Sequence, residues 1–194
     1  MSSPLLKSTR DLLGKHAPFD ENEAKHLQAM HRLAAAGPEI FTRSHYEPGH
    51  FTASAFVVSP SGDAMLLVHH PKLDRWLQPG GHVEAHDGDL MEAARREAIE
   101  ETGIANMALI GDGIFDVDVH VIPARKDEPE HRHFDVRFLF RAGTRDLKLE
   151  EGIQGAHWVP LHEVTIENSD SSVARAVAKL LSEESAVARL LDPV

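Results

Sequence analysis

The stretch Gly81-His-Val-Glu-Ala-His-Asp-Gly-Asp-Leu-Met-Glu-Ala-Ala-Arg-Arg-Glu-Ala-Ile-Glu-Glu-Thr-Gly-Ile104 decides how the rest of the chain is read. Its second half carries helix signals at both ends. Asp89 is an N-cap, Glu92 closes a capping box three residues later, and Gly103 stops the run, so a helix is predicted over Leu90 to Thr102. At 100° per residue, Glu97, Glu100 and Glu101 fall within an arc of roughly 100°. Leu90, Met91, Ala94 and Ala98 lie beside that arc and are the residues expected to be buried. The acids therefore emerge at the edge of the core, where screening is weaker than in open water.

Carboxylates grouped in this way repel one another unless cations sit between them. Hard oxygen donors favour magnesium or manganese, ions that polarise a phosphoryl oxygen and lower the pKa of bound water. Taken alone, the helix reads as a solvated, salt-bridged face, with Arg96 pairing with Glu92 and Glu100 at i±4 and Arg95 with Glu92 or the neighbours of Ile99 on the outer face. The flanks change that reading. Upstream, Leu77-Gln-Pro-Gly-Gly81 is a glycine-rich turn that lets main-chain carbonyls reach a metal or a ligand, and downstream the helix ends sharply after the last acid.

Working outward, the pattern before residue 81 is strand-like. Phe51 to Val58 and Ala64 to Val68 are short apolar runs joined by Ser59-Pro-Ser-Gly-Asp63, which reads as a hairpin, and Pro71 to Gly81 reads as a loop. After the helix, strands are predicted at Met107 to Ile122, broken near Gly111 to Gly113, at Phe134 to Arg141 and at Ala156 to Val159. A closing amphipathic helix over Ser171 to Leu181 follows, with Val173, Ala176, Val177 and Leu180 on one face. Residues 4–36 read as helical: Leu5, Leu6, Leu12 and Leu13 form one short stretch. A second, starting at Asp20-x-x-Glu23, places Ala24, Leu27, Met30, His31 and Ala34 on a common face. The expected organisation is an N-terminal helical extension over 1–46, packed on the core or forming a homodimer contact, and one domain over 47–194. The expected fold is an α/β/α sandwich around a mixed sheet.

With its flanks, the stretch over 81–104 resembles the Nudix box, whose pattern runs glycine, five residues, glutamate, seven residues, then Arg-Glu-aliphatic-x-Glu-Glu-x-Gly-aliphatic. Arg96, Glu97, Glu100, Glu101, Gly103 and Ile104 fall in register, with Ala98 at the first aliphatic position. The first half departs from the pattern: Asp87 stands at the glutamate position and one extra residue separates it from Arg96, so Asp87 is assigned no role. Phe51 to Val58, Trp76 to Gly81 and Trp158 to Leu161 also look like core segments of that family, and the resemblance covers about residues 47–165.

The resemblance implies a metal-dependent pyrophosphohydrolase. Glu97 and Glu101 are then metal ligands, Glu100 is a ligand or the base that activates water, Gly81 offers its carbonyl to the metal, and Arg96 orients the acids by a salt bridge. Mg2+ is the implied cofactor, with Mn2+ as its substitute. The implied reaction is hydrolysis of the phosphoanhydride of a nucleoside diphosphate linked to another moiety. A further acid from a late loop is common in the family, and Glu150 and Glu151 are the residues in place for it, or else they only solvate a turn. One competing reading keeps the fold as a non-catalytic sensor of a nucleotide derivative; retention of all three acids and the absence of an appended DNA-binding module speak against it. The isoprenoid-diphosphate isomerase branch of the superfamily relies on a catalytic cysteine, and the chain has none.

Histidines supply the remaining polar signal. His131, His133 and Asp135 alternate, with Arg137 next in line, and so share one strand face: a substrate wall, a second metal site, or a polar sheet face that does neither. His69-His70 and His82 are placed for phosphate contact, and Trp76 either stacks on a base or closes a core edge. A net charge of −11 argues against a grip on nucleic-acid phosphates but is compatible with an anionic small molecule held through a cation. No run is long and apolar enough to cross a membrane, and residues 1–16 lack the apolar core of a secretory signal, so the expected location is cytoplasmic.

Overall fold

The computed structural model describes residues 3–70, 74–149, 151 and 153–182. Four helices, α1 (Pro4–Lys15), α2 (Glu21–Ala34), α3 (Leu90–Thr102) and α4 (Ser171–Leu181), accompany eight strands. The strands are β1 (Gly49–Val58), β2 (Ala64–His70), β3 (Arg75–Leu77), β4 (Gly80–His82), β5 (Met107–Leu109), β6 (Asp116–Ile122), β7 (His131–Ala142) and β8 (Ala156–Pro160). The result is the expected mixed α/β fold with a mixed multi-stranded sheet and helices. No helix among the described residues is long and apolar enough to cross a membrane.

Contacts divide the chain into two compact units. The first holds α1, α2, β4, β6, β1 as far as Ser54, β7 as far as Arg137 and the first turn of α3. Here β4 lies antiparallel to β1, with Thr52 opposite His82 and Ser54 opposite Gly80, and β6 lies antiparallel to β7, with Asp116 opposite Arg137 and His120 opposite His133. Because side chains alternate along a strand, one sheet face takes Phe51, Ala53, Val117, Phe134 and Val136, all buried, with Phe41 stacked 5.7 Å from Phe51. Gly49 starts β1 with φ at +142, and a Cβ there would strike the carbonyl of Arg132, so only glycine fits.

The second unit holds β2, β3, β5, β8, α4 and the remainders of β1, β7 and α3. β2 lies between β3 and β8, pairing antiparallel with each, and β5 pairs with the end of β7. Phe56, Met65, Leu66, Leu67, Phe138 and Phe140 are fully buried, each worth roughly 1.5–3 kcal/mol against exposure. α4 buries Val173, Ala176, Val177 and Leu180 as expected, and Asp170 caps it by accepting from the Val173 amide at 2.8 Å.

Three expectations need correction. The segment read as a loop before Gly81 contains β3 and β4, each three residues long and defined by its partners rather than by any period of its own; residues 71–73 lie outside the described residues. In α2, Ala24 and His31 are exposed while Glu23 and Leu33 are buried, because Glu23 turns inward to accept from the Phe19 amide at 2.7 Å and to meet His16 Nε2 at 2.8 Å. In α3, Met91 is only half-buried and Ala93 takes its expected place in the core.

Candidate active site

α3 begins and ends where its caps dictate. Asp89 Oδ1 accepts from the Glu92 amide at 2.8 Å, Glu92 Oε2 reaches back to the Gly88 amide at 3.0 Å, and Gly103 closes the helix with φ at +73. Between these ends, Arg96 Nη1 donates to Glu97 Oε1 and to Glu100 Oε2, each at 2.9 Å. The expected partner Glu100 is therefore confirmed, and Glu97 takes the place expected of Glu92. The side chains of Arg96 and Glu97 are 16% and 17% exposed against 48% for Glu100, so one acid is shielded and the next opens on solvent. Glu101 is half-buried. Arg95 does not sit with Glu92: it donates to the Met107 carbonyl at 2.6 Å and lies over the Phe140 ring.

Gly81 and His82 belong to β4, opposite Ala53 and Thr52 of β1. Asp87, at the departing position of the box, is used by its own turn, its Oδ2 accepting from the Glu84 amide at 2.7 Å while its amide donates to the Glu84 carbonyl at 3.1 Å. Glu151 is exposed in a turn, and Glu150 lies outside the described residues. Trp76 is half-buried, with ring centroids 5.1 Å from His69 and 4.1 Å from His157 in edge-on contact. His69 is held by Asp74 at 3.1 Å.

A second polar group fills the other sheet face of the first unit. Alternation brings Thr52 and Ser54 of β1, Asp116 and Asp118 of β6, and Asp135 and Arg137 of β7 onto this face, and all six are buried. Arg137 lies at the centre: Nε is 2.9 Å from Asp135, Nη1 3.1 Å from Asp116 and Nη2 3.4 Å from Asp118. Thr52 and Ser54 hydroxyls donate to Asp135 Oδ1 at 3.0 and 2.8 Å. Burial alone would raise the Asp118 pKa, but the Arg137 guanidinium reverses this and holds the carboxyl well below the usual range. His26 of α2 lies 3.4 Å from Asp118, and His120 lies 3.0 Å from it.

One rung further along the same face the residues change to histidine. His50, His82 and His133 have ring centroids 4.8 to 5.3 Å apart, and His131 stacks on His50 at 5.1 Å. Burial, reinforced by the neighbouring imidazoles, pushes His133 down to about 2 and His82 down to about 4, and lowers His50 as well. These rings are neutral near pH 7. Of the four residues read from β7, His131 and His133 thus join the histidine group, whereas Asp135 and Arg137 are locked in the ion network. His50, Asp116, Asp118 and His120 escaped the sequence reading. Their signal was the alternation His50-x-Thr-x-Ser54 and Asp116-x-Asp-x-His120, which a search for strand faces finds.

Comparison with known proteins bears on the whole arrangement. The NUDIX domain model matches residues 48–181. A curated relative, described as a probable DHNTP pyrophosphohydrolase of Lactococcus lactis subsp. cremoris, is 31% identical over 134 residues, covering 68% of this chain and 76% of that protein. Among solved structures, a NUDIX-family hydrolase from Clostridium perfringens superposes with a TM-score of 0.51 at 25% identity, covering 69% of this chain and 98% of the other. A C. elegans Ap4A hydrolase, seen in a binary complex, also reaches 0.51, at 19% identity over 66% of this chain and 92% of its own, a likeness of fold.

Proposed function

The chain belongs to the Nudix family, as a pyrophosphohydrolase, and on that premise we propose that it hydrolyses the phosphoanhydride of a nucleoside diphosphate linked to another moiety, using a divalent cation at the acids of α3. The observation that carries the reading is the ordered acid group itself: Arg96 bridging Glu97 and Glu100 at 2.9 Å, with Glu101 on the adjoining turn. The donor set fits the implied metal. Three carboxylates spaced i, i+3 and i+4 and devoid of nitrogen or sulfur ligands suit Mg2+ or Mn2+. When bound, such an ion supplies Lewis-acid neutralisation of the diphosphate charge.

The side chains do the rest. Arg96 fixes the rotamers of Glu97 and Glu100 through Nη1, which donates to both and is held in place by a rigid planar guanidinium that the flexible stem of a lysine does not reproduce. Shielded Glu97 is a ligand, and one of Glu100 and Glu101 accepts the proton of the attacking water. Water oxygen bonds to one phosphorus, the bridging P–O bond breaks, and two phosphorylated products leave.

The test is product release from a panel containing DHNTP, Ap4A, nucleotide sugars and nucleoside triphosphates, with magnesium, with manganese and with chelator. Turnover of one compound, abolished by chelator and restored by metal, supports the reading. In Glu100→Gln with Glu101→Gln we expect turnover to fall at least a hundredfold while the helix stays folded; unchanged turnover removes the catalytic assignment. A compound that binds tightly and is never cleaved would favour the sensor reading.

A further inference from the structure

Within the first unit, His50 of β1, His82 of β4 and His133 of β7 have ring nitrogens that all lie within 4.8 Å of one another. Register creates the group: His82 stands opposite Thr52, two residues from His50 on the same face, and His133 stands opposite His120. His50 is fully buried, and its Nε2 and that of His133 are buried without a hydrogen-bond partner among the described residues. A buried nitrogen that nothing engages carries an uncompensated loss of hydration. Two of them within one cluster of rings are poorly explained by packing.

The orientation of His50 adds a second argument. Its Nδ1 lies 3.2 Å from the His45 carbonyl, which only accepts, so the proton sits on Nδ1 and Nε2 carries the lone pair. His131 is held the same way, its Nδ1 donating to the Pro129 carbonyl at 2.8 Å. A carbonyl on the far nitrogen is the usual orienting partner of a metal-ligating imidazole.

We propose that His50, His82 and His133 form a binding site for a divalent transition-metal ion of the zinc class, chemically distinct from the carboxylate group on α3. Three imidazole nitrogens with no carboxylate among them suit zinc, cobalt, nickel or copper and discriminate against magnesium. Nitrogens bound to one tetrahedral zinc stand ~3.4 Å apart, given bonds of ~2.1 Å, so binding requires the imidazoles to turn inward from their present span of 4.8 Å. The neighbouring rung, ~7 Å along β7, sets three aspartates against the single guanidinium of Arg137. That excess of negative charge favours a dication where a monovalent charge balance would not. The ion ties β1, β4 and β7 within the first unit and keeps one coordination position for water or an incoming donor.

The experiment uses the full chain, stripped by chelator, desalted and titrated with zinc in a large excess of magnesium, with bound metal measured by elemental analysis. One equivalent of zinc should survive a second desalting, and cobalt should give the intense visible absorption of a four-coordinate ion. Affinity should fall at least tenfold in His133→Ala and in His82→Gln, the latter altering a half-buried ring, and should be retained in Glu100→Gln with Glu101→Gln. A readout that needs no variant is the imidazole NMR spectrum, in which cobalt should displace His50, His82 and His133 and spare exposed His31, His86 and His162. Zinc lost on desalting, zinc held equally by both histidine variants, or cobalt acting on the exposed histidines alone would each overturn the proposal.

Discussion

Replacing Arg137 by methionine isolates the largest electrostatic commitment in the first unit. The guanidinium is 2% exposed and lies 2.9 to 3.4 Å from three buried carboxylates, so its removal leaves Asp116, Asp118 and Asp135 facing one another away from water. Breaking a buried pair in this way costs about 3–5 kcal/mol, mainly because the partners stay buried without their counter-charge. At roughly 2–4 °C per kcal/mol for a protein of this size, the melting temperature should fall by about 6–20 °C. The deficit should also depend on pH. In the wild-type fold the Asp118 pKa is depressed, so its contribution is present above the unfolded value and is lost as pH falls through the folded one. In the variant the largest charge opposing burial at Asp118 is gone and only His120 and His26 still hold its carboxyl down, so its pKa rises and the folded state gains protons as pH falls. Denaturant unfolding of both proteins at pH 7 and pH 5 should therefore show a gap that narrows on acidification. A variant within about 1 kcal/mol of wild type at pH 7, or a gap equal at both pH values, refutes the reasoning.

Arg96→Lys should lower kcat about tenfold, near 1.4 kcal/mol of transition-state stabilisation, while the melting temperature moves little, since an ammonium on a flexible stem does not hold the position from which the planar guanidinium's Nη1 serves both Glu97 and Glu100. Gly49→Ala should destabilise the fold by roughly 2 kcal/mol or more, measured by denaturant unfolding, because both the φ of +142 and the Arg132 carbonyl oppose a side chain. Metal-free protein should lose stability as pH falls below about 6.5. His82 and His133, facing His50, His131, His120, Arg43 and Glu128, are held neutral down to about 4 and about 2, so protons bind the unfolded chain first. At pH 5 each should cost roughly 1–2 kcal/mol relative to pH 8, and a stability flat over that range would contradict the burial of these rings.

What the sequence determined by itself was everything governed by local rules. The limits of α3 follow from Asp89 and Gly103, those of α4 from its apolar stripe, and the β1–β2 hairpin from the turn at Ser59 to Asp63. Three acids at i, i+3 and i+4 share a helix face wherever that helix sits, so the proposed catalytic group was legible before any fold was known. Tertiary structure decided what depends on partners. β3 and β4 are too short to show a period and exist through their pairing with β2 and β1. The phase of α2 was set by Glu23 turning to His16 and Phe19, a contact no hydrophobic pattern contains. His50 sits at the head of an apolar strand and reads alone as core. Only the register of β1, β4 and β7 brings it beside His82 and His133, because pairing places residues from distant parts of the chain on one face, and the order of residues carries no record of that pairing.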